Sequence, residues 1–196
     1  MKLRVALTAL AGALALTLAA CGGSSPSSSA SSAATSGATT STAFNEADVT
    51  FAQSMIPHHE QAIEMAEVAL DPKAGAGVKI KDLATRIKAA QDPEIKQLTA
   101  LLQGWGKPTQ METSGGHDMS SMGGMMSDDD MKQLATLNGA AFDKQWAAMM
   151  IEHHEGAIDM ATTVKAAGSN SEVLALAEKI VAAQQAEITE MTPLAA

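Results

Sequence analysis

Apolar residues recur along most of this chain at alternating three- and four-residue steps, the spacing that lines one face of an α-helix. Phe51, Met55, Ala62, Ile63, Ala66 and Leu70 make one such stripe and predict a helix over about 46–70. Asn45 is placed to cap it. Asp71-Pro72 ends it, because proline lacks a backbone donor and disfavours helix at the residue before it. Ile80, Leu83, Ile87, Ala90, Ile95, Leu98 and Leu102 form a second stripe over about 76–103, which Pro93 is expected to kink or divide at Asp92. Ser127 and the three aspartates after it suit a helix start, where negative charge is favourable. Asn138-Gly139 breaks that helix before a long one over about 140–167. Gly168 stands where a C-cap is expected, and Asn170 or Ser171 opens a last helix ending near Pro193.

The pattern is written twice. Met55-Ile56-Pro57-His58-His59-Glu60-Gln61-Ala62-Ile63-Glu64-Met65-Ala66 is matched 95 residues later by Met150-Ile151-Glu152-His153-His154-Glu155-Gly156-Ala157-Ile158-Asp159-Met160-Ala161. Asp48 and Phe51 find Asp143 and Trp146 at the same offset. Farther on, Leu83-Ala84, Ala89-Ala90-Gln91 and Glu94-Ile95 align with Leu176-Ala177, Ala182-Ala183-Gln184 and Glu187-Ile188 at an offset of 93. Each half therefore reads as a helical hairpin with one apolar stripe to bury. Two such hairpins packed on each other give an all-α fold, a four-helix up-down bundle. Repeat one spans 44–104, a linker 105–127, and repeat two 128–192.

Composition agrees with helix. Tyr is absent and only three Phe and two Trp are present, whereas aromatic and β-branched residues are what sheets favour. The formal charge is −9, and −11 once Lys2 and Arg4 are removed. That argues against nucleic acid as a partner, since its binding surfaces are basic.

The N-terminus reads as an address. Lys2 and Arg4 precede an uncharged apolar run from Val5 to Ala20, shorter than the ~20 residues of a membrane span and closed by small residues as export signals are. Leu18-Ala19-Ala20-Cys21 resembles a bacterial lipobox. That resemblance implies removal of residues 1–20, lipid on the Cys21 sulfur, and anchoring to the cell membrane on its extracytoplasmic side. Cys21 is the single cysteine, so no internal disulfide can form, and lipidation would leave no thiolate for a metal or redox site. Residues 21–43, nearly all Ser, Gly, Ala and Thr after the cysteine, read as a flexible tether between membrane and domain.

Four of the five histidines form the repeated pairs, and Met55, Met65, Met150 and Met160 flank them at helical spacing. Met55 lies one turn before His58 and His59, and Met65 about two turns after, so imidazole and thioether ligands fall near one face. Adjacent residues on a helix diverge by about 100°, so one histidine of each pair is expected to point inward and the other toward a flank. Thioethers select Cu(I), while imidazole serves copper, zinc, iron and nickel. The favoured ion is therefore Cu(I), with Cu(II) or another transition metal as alternatives. The linker adds His117, Met119, Met122, Met125 and Met126 in a glycine-rich setting that has no evident core for them to fill. Glu60, Glu64, Glu155 and Asp159 are candidate acceptors for imidazole N–H groups, and Asp48 and Asp143 recur as helix-start or supporting residues.

Two other readings remain open: a ferritin-like metal-dependent oxidase, and a structural or partner-binding bundle without metal. Two-iron bundles use Glu-x-x-His motifs, and here Met-x-x-His stands in that place twice. No Ser-His-Asp arrangement, phosphate loop or nucleotide fingerprint points to hydrolase or nucleotide chemistry. A homo-oligomer is compatible with the sequence.

The motif Asp-x-x-aromatic-x-x-x-Met-x-x-His-His-x-x-Ala-x-x-Met-Ala, from Asp48 to Ala66 and again from Asp143, is similar to that of the domain-of-unknown-function 305 family. The resemblance covers roughly residues 44–192. It implies a ferritin-like helical bundle, some of whose members bind copper in the periplasm or outside the cell and support copper resistance. It carries over Met55, His58, His59, Met65, Met150, His153, His154 and Met160 as candidate ligands. It implies no family-wide enzymatic activity. Pro57 against Glu152 and Gln61 against Gly156 suggest that the two half-sites are not equivalent.

Overall fold

The computed structural model describes residues 43–110 and 123–196. Residues 1–42 with Cys21, and Met111, His117, Met119 and Met122 of the linker, lie outside the described residues.

Helix α1 spans Glu46–Leu70, followed by a single 3-10 turn at Pro72–Ala74. Helices α2 (Val78–Gly104), α3 (Asp128–Thr136), α4 (Gly139–Ala167) and α5 (Ser171–Ala195) follow, and the described residues contain no strand. The caps form where the polar residues predict them. The Asn45 side chain accepts from the Asp48 N–H, and the Asp48 carboxylate accepts from the Asn45 N–H in return. Ser127 and Asp130 make the same reciprocal box at α3, and the Asn170 side chain accepts from the Glu172 and Val173 N–H groups at α5.

Pro93 does not divide α2, which runs unbroken from Val78 to Gly104. Both Pro93 and Ala89, whose carbonyl loses its helical partner there, lie on the exposed side, so water can satisfy that carbonyl. The α5 helix likewise passes Pro193. Two positions assigned to the inner stripes face outward. Leu70 is 37% exposed at the end of α1, and Ala90 is exposed while its neighbour Gln91 is buried.

The α1 and α2 helices pair as an antiparallel hairpin, as do α4 and α5, and the two hairpins meet mainly through α1 against α4, with α2 and α5 barely touching. Alanines 52, 62, 66 and 69 on α1 and 147, 157 and 161 on α4 are buried, and their small side chains permit close approach of the central pair. The indole N–H of the fully buried Trp146 donates to the Met65 carbonyl at 2.9 Å, joining α4 to α1. The result is a four-helix bundle with α3 as a short addition. No helix among the described residues is long and apolar enough to cross a membrane.

The hairpins are also stitched crosswise. The buried Asp48 of α1 accepts from the Ser169 N–H and the Asn170 N–H, both at 3.1 Å, at the start of α5. Asp143 of α4 accepts from the Gly77 N–H at 3.0 Å, at the start of α2. Each repeated aspartate thus supports the second helix of the other half. Gly168 does sit at the end of α4, but its backbone is extended rather than left-handed, with φ −73°. Its lack of a side chain serves proximity instead, because a Cβ there would meet the Asp48 Oδ1 at 2.6 Å. Asp48→Ala strands several buried donors and is expected to destabilise by on the order of 3 kcal/mol. Asp143→Ala, at a half-buried site with fewer donors, is expected to lose about 1 kcal/mol. Urea denaturation of the two variants checks the inequality.

Candidate metal centre

Where α1 crosses α4, the apolar stripes are interrupted at one level. His58, His59, His153 and His154 are all fully buried there, with a relative exposure of 0%. The α2 stripe carries Gln91 and Glu94 among its leucines and isoleucines, and the α5 stripe carries Gln184 and Glu187 at the equivalent places. The remaining core divides into two apolar clusters. One holds Met65 and Met150, and the other holds Met55 with the half-buried Met160 packed against it. Each cluster therefore takes one motif methionine from α1 and one from α4, and Met149 of α4 joins the first.

The rings of His58 and His153 face one another with centroids 3.8 Å apart and planes inclined at 39°. His154 follows at 6.4 Å from His153. His59 turns instead toward its own hairpin partner, where its Nε2 lies 2.8 Å from the Glu94 Oε2, and His154 Nε2 lies 2.7 Å from the Glu187 Oε2. The divergence within each pair is thus present, but neither ring reaches the surface. Both α1 and α4 are packed on two sides, so a wide arc of each is buried and the supposed flank is interior. Glu60, Glu64, Glu155 and Asp159 are exposed, and the acceptors are Glu94 and Glu187 from α2 and α5. The sequence held a signal for them. Glu94 aligns with Glu187 and Gln91 with Gln184 at the repeat offset, as polar residues in apolar stripes.

Both nitrogens of His58 and of His153, and the Nδ1 atoms of His59 and His154, are buried without a hydrogen-bond partner in the protein. Burial therefore keeps the central pair neutral. The His58 pKa is lowered from 6.5 to about 3, first by desolvation and then by the neighbouring His59. The backbone of Gly123 offsets a little of this. His153 is lowered well below its ordinary value by desolvation and by His58. Among the described residues no three His, Cys, Asp or Glu side chains gather to hold an ion by themselves. A metal here would need a thioether or a shift of a ring. The donor set of neutral imidazoles with free lone pairs beside buried thioethers still fits a soft ion.

The end of the linker crosses this site. The Gln61 side chain donates to the Met126 carbonyl at 2.8 Å and accepts from its N–H at 2.7 Å. Met126 is only 7% exposed and packs in the core with Met65 and Met150, so this linker methionine does have a core to fill. Met125 is half-buried and lines a surface cleft of about 630 Å³ with Pro57, Glu60 and Glu64.

The sequence profile described as Domain of unknown function (DUF305) matches residues 48–195. The chain belongs to the DUF305 family. No curated protein matches it. A crystal structure of a DUF305 fragment from Deinococcus radiodurans is 31% identical, covers 77% of this chain and 96% of its own, and superposes with a TM-score of 0.68. A DUF305 protein from Streptomyces coelicolor is 30% identical over 76% of this chain and 91% of its own, with a TM-score of 0.69. CopM in its Cu(II)-bound form is 33% identical over 76% of this chain and 95% of its own, with a TM-score of 0.63. CopM has also been solved in Cu(I)-bound and Ag-bound forms.

Within this DUF305 bundle the two halves differ where the linker lies. Gln61 clamps it from α1. At the equivalent place on α4, Gly156 leaves room for it, since a Cβ there would meet the Gly123 carbonyl oxygen at 1.9 Å. Gly156→Ala must lift residues 123–126 and is expected to destabilise by about 1–3 kcal/mol, with faster hydrogen exchange at the Met126 amide. The central rings of His58 and His153 predict a pH dependence as well. Their folded pKa values lie below the ordinary 6.5, so the native state binds fewer protons than the unfolded one. Their neutral burial is without penalty above 6.5, and stability drains away as the pH falls through the window down to about 3 for His58. Each such ring contributes up to about 1.4 kcal/mol per pH step. The urea midpoint of chelator-treated protein should fall from neutral to acid pH, and His58→Phe should make that slope shallower.

Proposed function

We propose that this protein is exported, anchored to the cell membrane through lipid on Cys21, and binds copper outside the cytoplasm as a sequestering or buffering protein. The observation that carries the reading is the cluster of four buried histidines. Six ring nitrogens there have no protein partner, in a layer bracketed by buried methionines. Unsatisfied buried polar atoms cost about 1–3 kcal/mol each, and a soft cation would satisfy those that hold a lone pair. The likeness to CopM, solved with Cu(I) and with Cu(II), supports copper as the ion. The apolar run from Val5 to Ala20 before Cys21 supports export and anchoring. His58, His59, His153 and His154 would supply imidazole, and Met55, Met65, Met150 and Met160 thioether. His117, Met119, Met122, Met125 and Met126 of the linker would assist capture of Cu(I). Copper is cargo in this reading, and no reaction step is assigned to it.

A competitive Cu(I) titration of the full chain in mild detergent tests it. Wild type is expected to hold Cu(I) at least about tenfold more tightly than a variant with all four paired histidines changed to Ala, provided circular dichroism shows that variant to be helical. The milder pair His58→Gln with His153→Gln serves if it is not. Equal affinity in wild type and variant would leave the metal-free structural bundle as the better reading.

A further inference from the structure

Two of the four histidines are held by a carboxylate and two are not. His59 Nε2 lies 2.8 Å from Glu94 and His154 Nε2 lies 2.7 Å from Glu187, while neither nitrogen of His58 or His153 has a protein partner. The carboxylates come from α2 and α5, the outer helices of the hairpins, and their side chains are themselves largely buried, at 19% and 12% exposure. A neutral imidazole has one N–H and one lone pair. In that neutral form a carboxylate at Nε2 accepts the N–H there and leaves the lone pair on Nδ1. In both halves Nδ1 is the buried atom left without a partner. The amides of Gln91 and Gln184, one turn before each glutamate, do not bond to it in this structure. What each hairpin encloses is therefore an electron pair with nothing to receive it, which is what a soft cation needs.

The geometry points to Glu94 and Glu187 as positioning residues that fix His59 and His154 in the Nε2–H form and present Nδ1 as the metal donor. This deepens the proposed copper reading and rests on it. The carboxylates touch no metal themselves. They act by selecting the tautomer, setting the ring plane and raising the basicity of the donor nitrogen, as carboxylates behind metal-bound imidazoles do. His58 and His153 have no carboxylate at either nitrogen, so no such partner fixes their form. The four histidines thus divide into two donors backed by a carboxylate and two without one, one of each kind from each half.

Long-range proton–nitrogen NMR of the full chain in detergent, without metal and then with Ag(I) as a diamagnetic probe, tests the assignment. The expected spectra show His59 and His154 with protonated Nε2 and lone-pair Nδ1 before metal. On adding Ag(I), the Nδ1 signals should move while Nε2–H persists. The pair Glu94→Leu with Glu187→Leu should lose the tautomer preference and bind Ag(I) and Cu(I) about 10–100-fold more weakly. The pair Glu94→Gln with Glu187→Gln keeps an oxygen acceptor, so it should retain the tautomer and lose less affinity. If the leucine pair does not fold, the wild-type spectra and the glutamine pair still decide. A proton on Nδ1 before metal, or Ag(I) taken by Nε2 with loss of its proton, overturns the assignment and leaves copper binding standing. Rings that respond to neither Ag(I) nor Cu(I) overturn the copper reading and with it the donor role, even where the Nε2–H signal is intact.

Discussion

Enclosing four imidazoles at the crossing of α1 and α4 is the constraint to which the rest of the bundle answers. Each ring brings polar atoms into a place where water cannot reach them, and such atoms are tolerated only when partnered or kept neutral. The fold meets this in two ways. The outer rings are given carboxylates from α2 and α5. The central rings lie against each other at a tilt and are held uncharged by desolvation. The polar layer splits the core into two apolar clusters, and those clusters place a methionine from each half on either side of it.

That arrangement depends on the antiparallel crossing of two copies of one unit. Because α1 and α4 run in opposite directions, the methionine before the pair in one half meets the cluster that holds the methionine after the pair in the other. The aspartates near the starts of α1 and α4 then tie each hairpin to the beginning of the other's second helix. The repeated motif is thus one device used in two places, with acidic ends that secure the crossing and a histidine pair at its centre.

The duplication is broken where a single linker must pass over a two-fold arrangement. One chain segment cannot treat both halves alike, so α1 offers the Gln61 amide and α4 offers the absent side chain of Gly156. The same segment buries Met126 in the core and leaves Met125 at a surface cleft, so two adjacent linker methionines have different environments. The end of the linker is therefore held differently by the two halves, whereas the donors of the histidine layer are nearly paired.

Much of the bundle was legible in the amino-acid order because helix is a local property. The stripes at three- and four-residue steps, Asn45, Ser127 and Asn170 as caps, and the doubled motif sufficed for the helices, their pairing into hairpins and the family. Local rules misjudged Pro93, because they do not know which side of α2 faces water. They also misplaced the second histidine of each pair, because burial of an arc depends on how many neighbours a helix has. Glu94 and Glu187 were visible as a repeat but not as partners of His59 and His154, since that contact joins residues far apart in the chain. Periodicity orders residues along one helix. Only the packing of α1 between α2 and α4, and of α4 between α5 and α1, decides which imidazole nitrogens meet a carboxylate and which are left with a free lone pair.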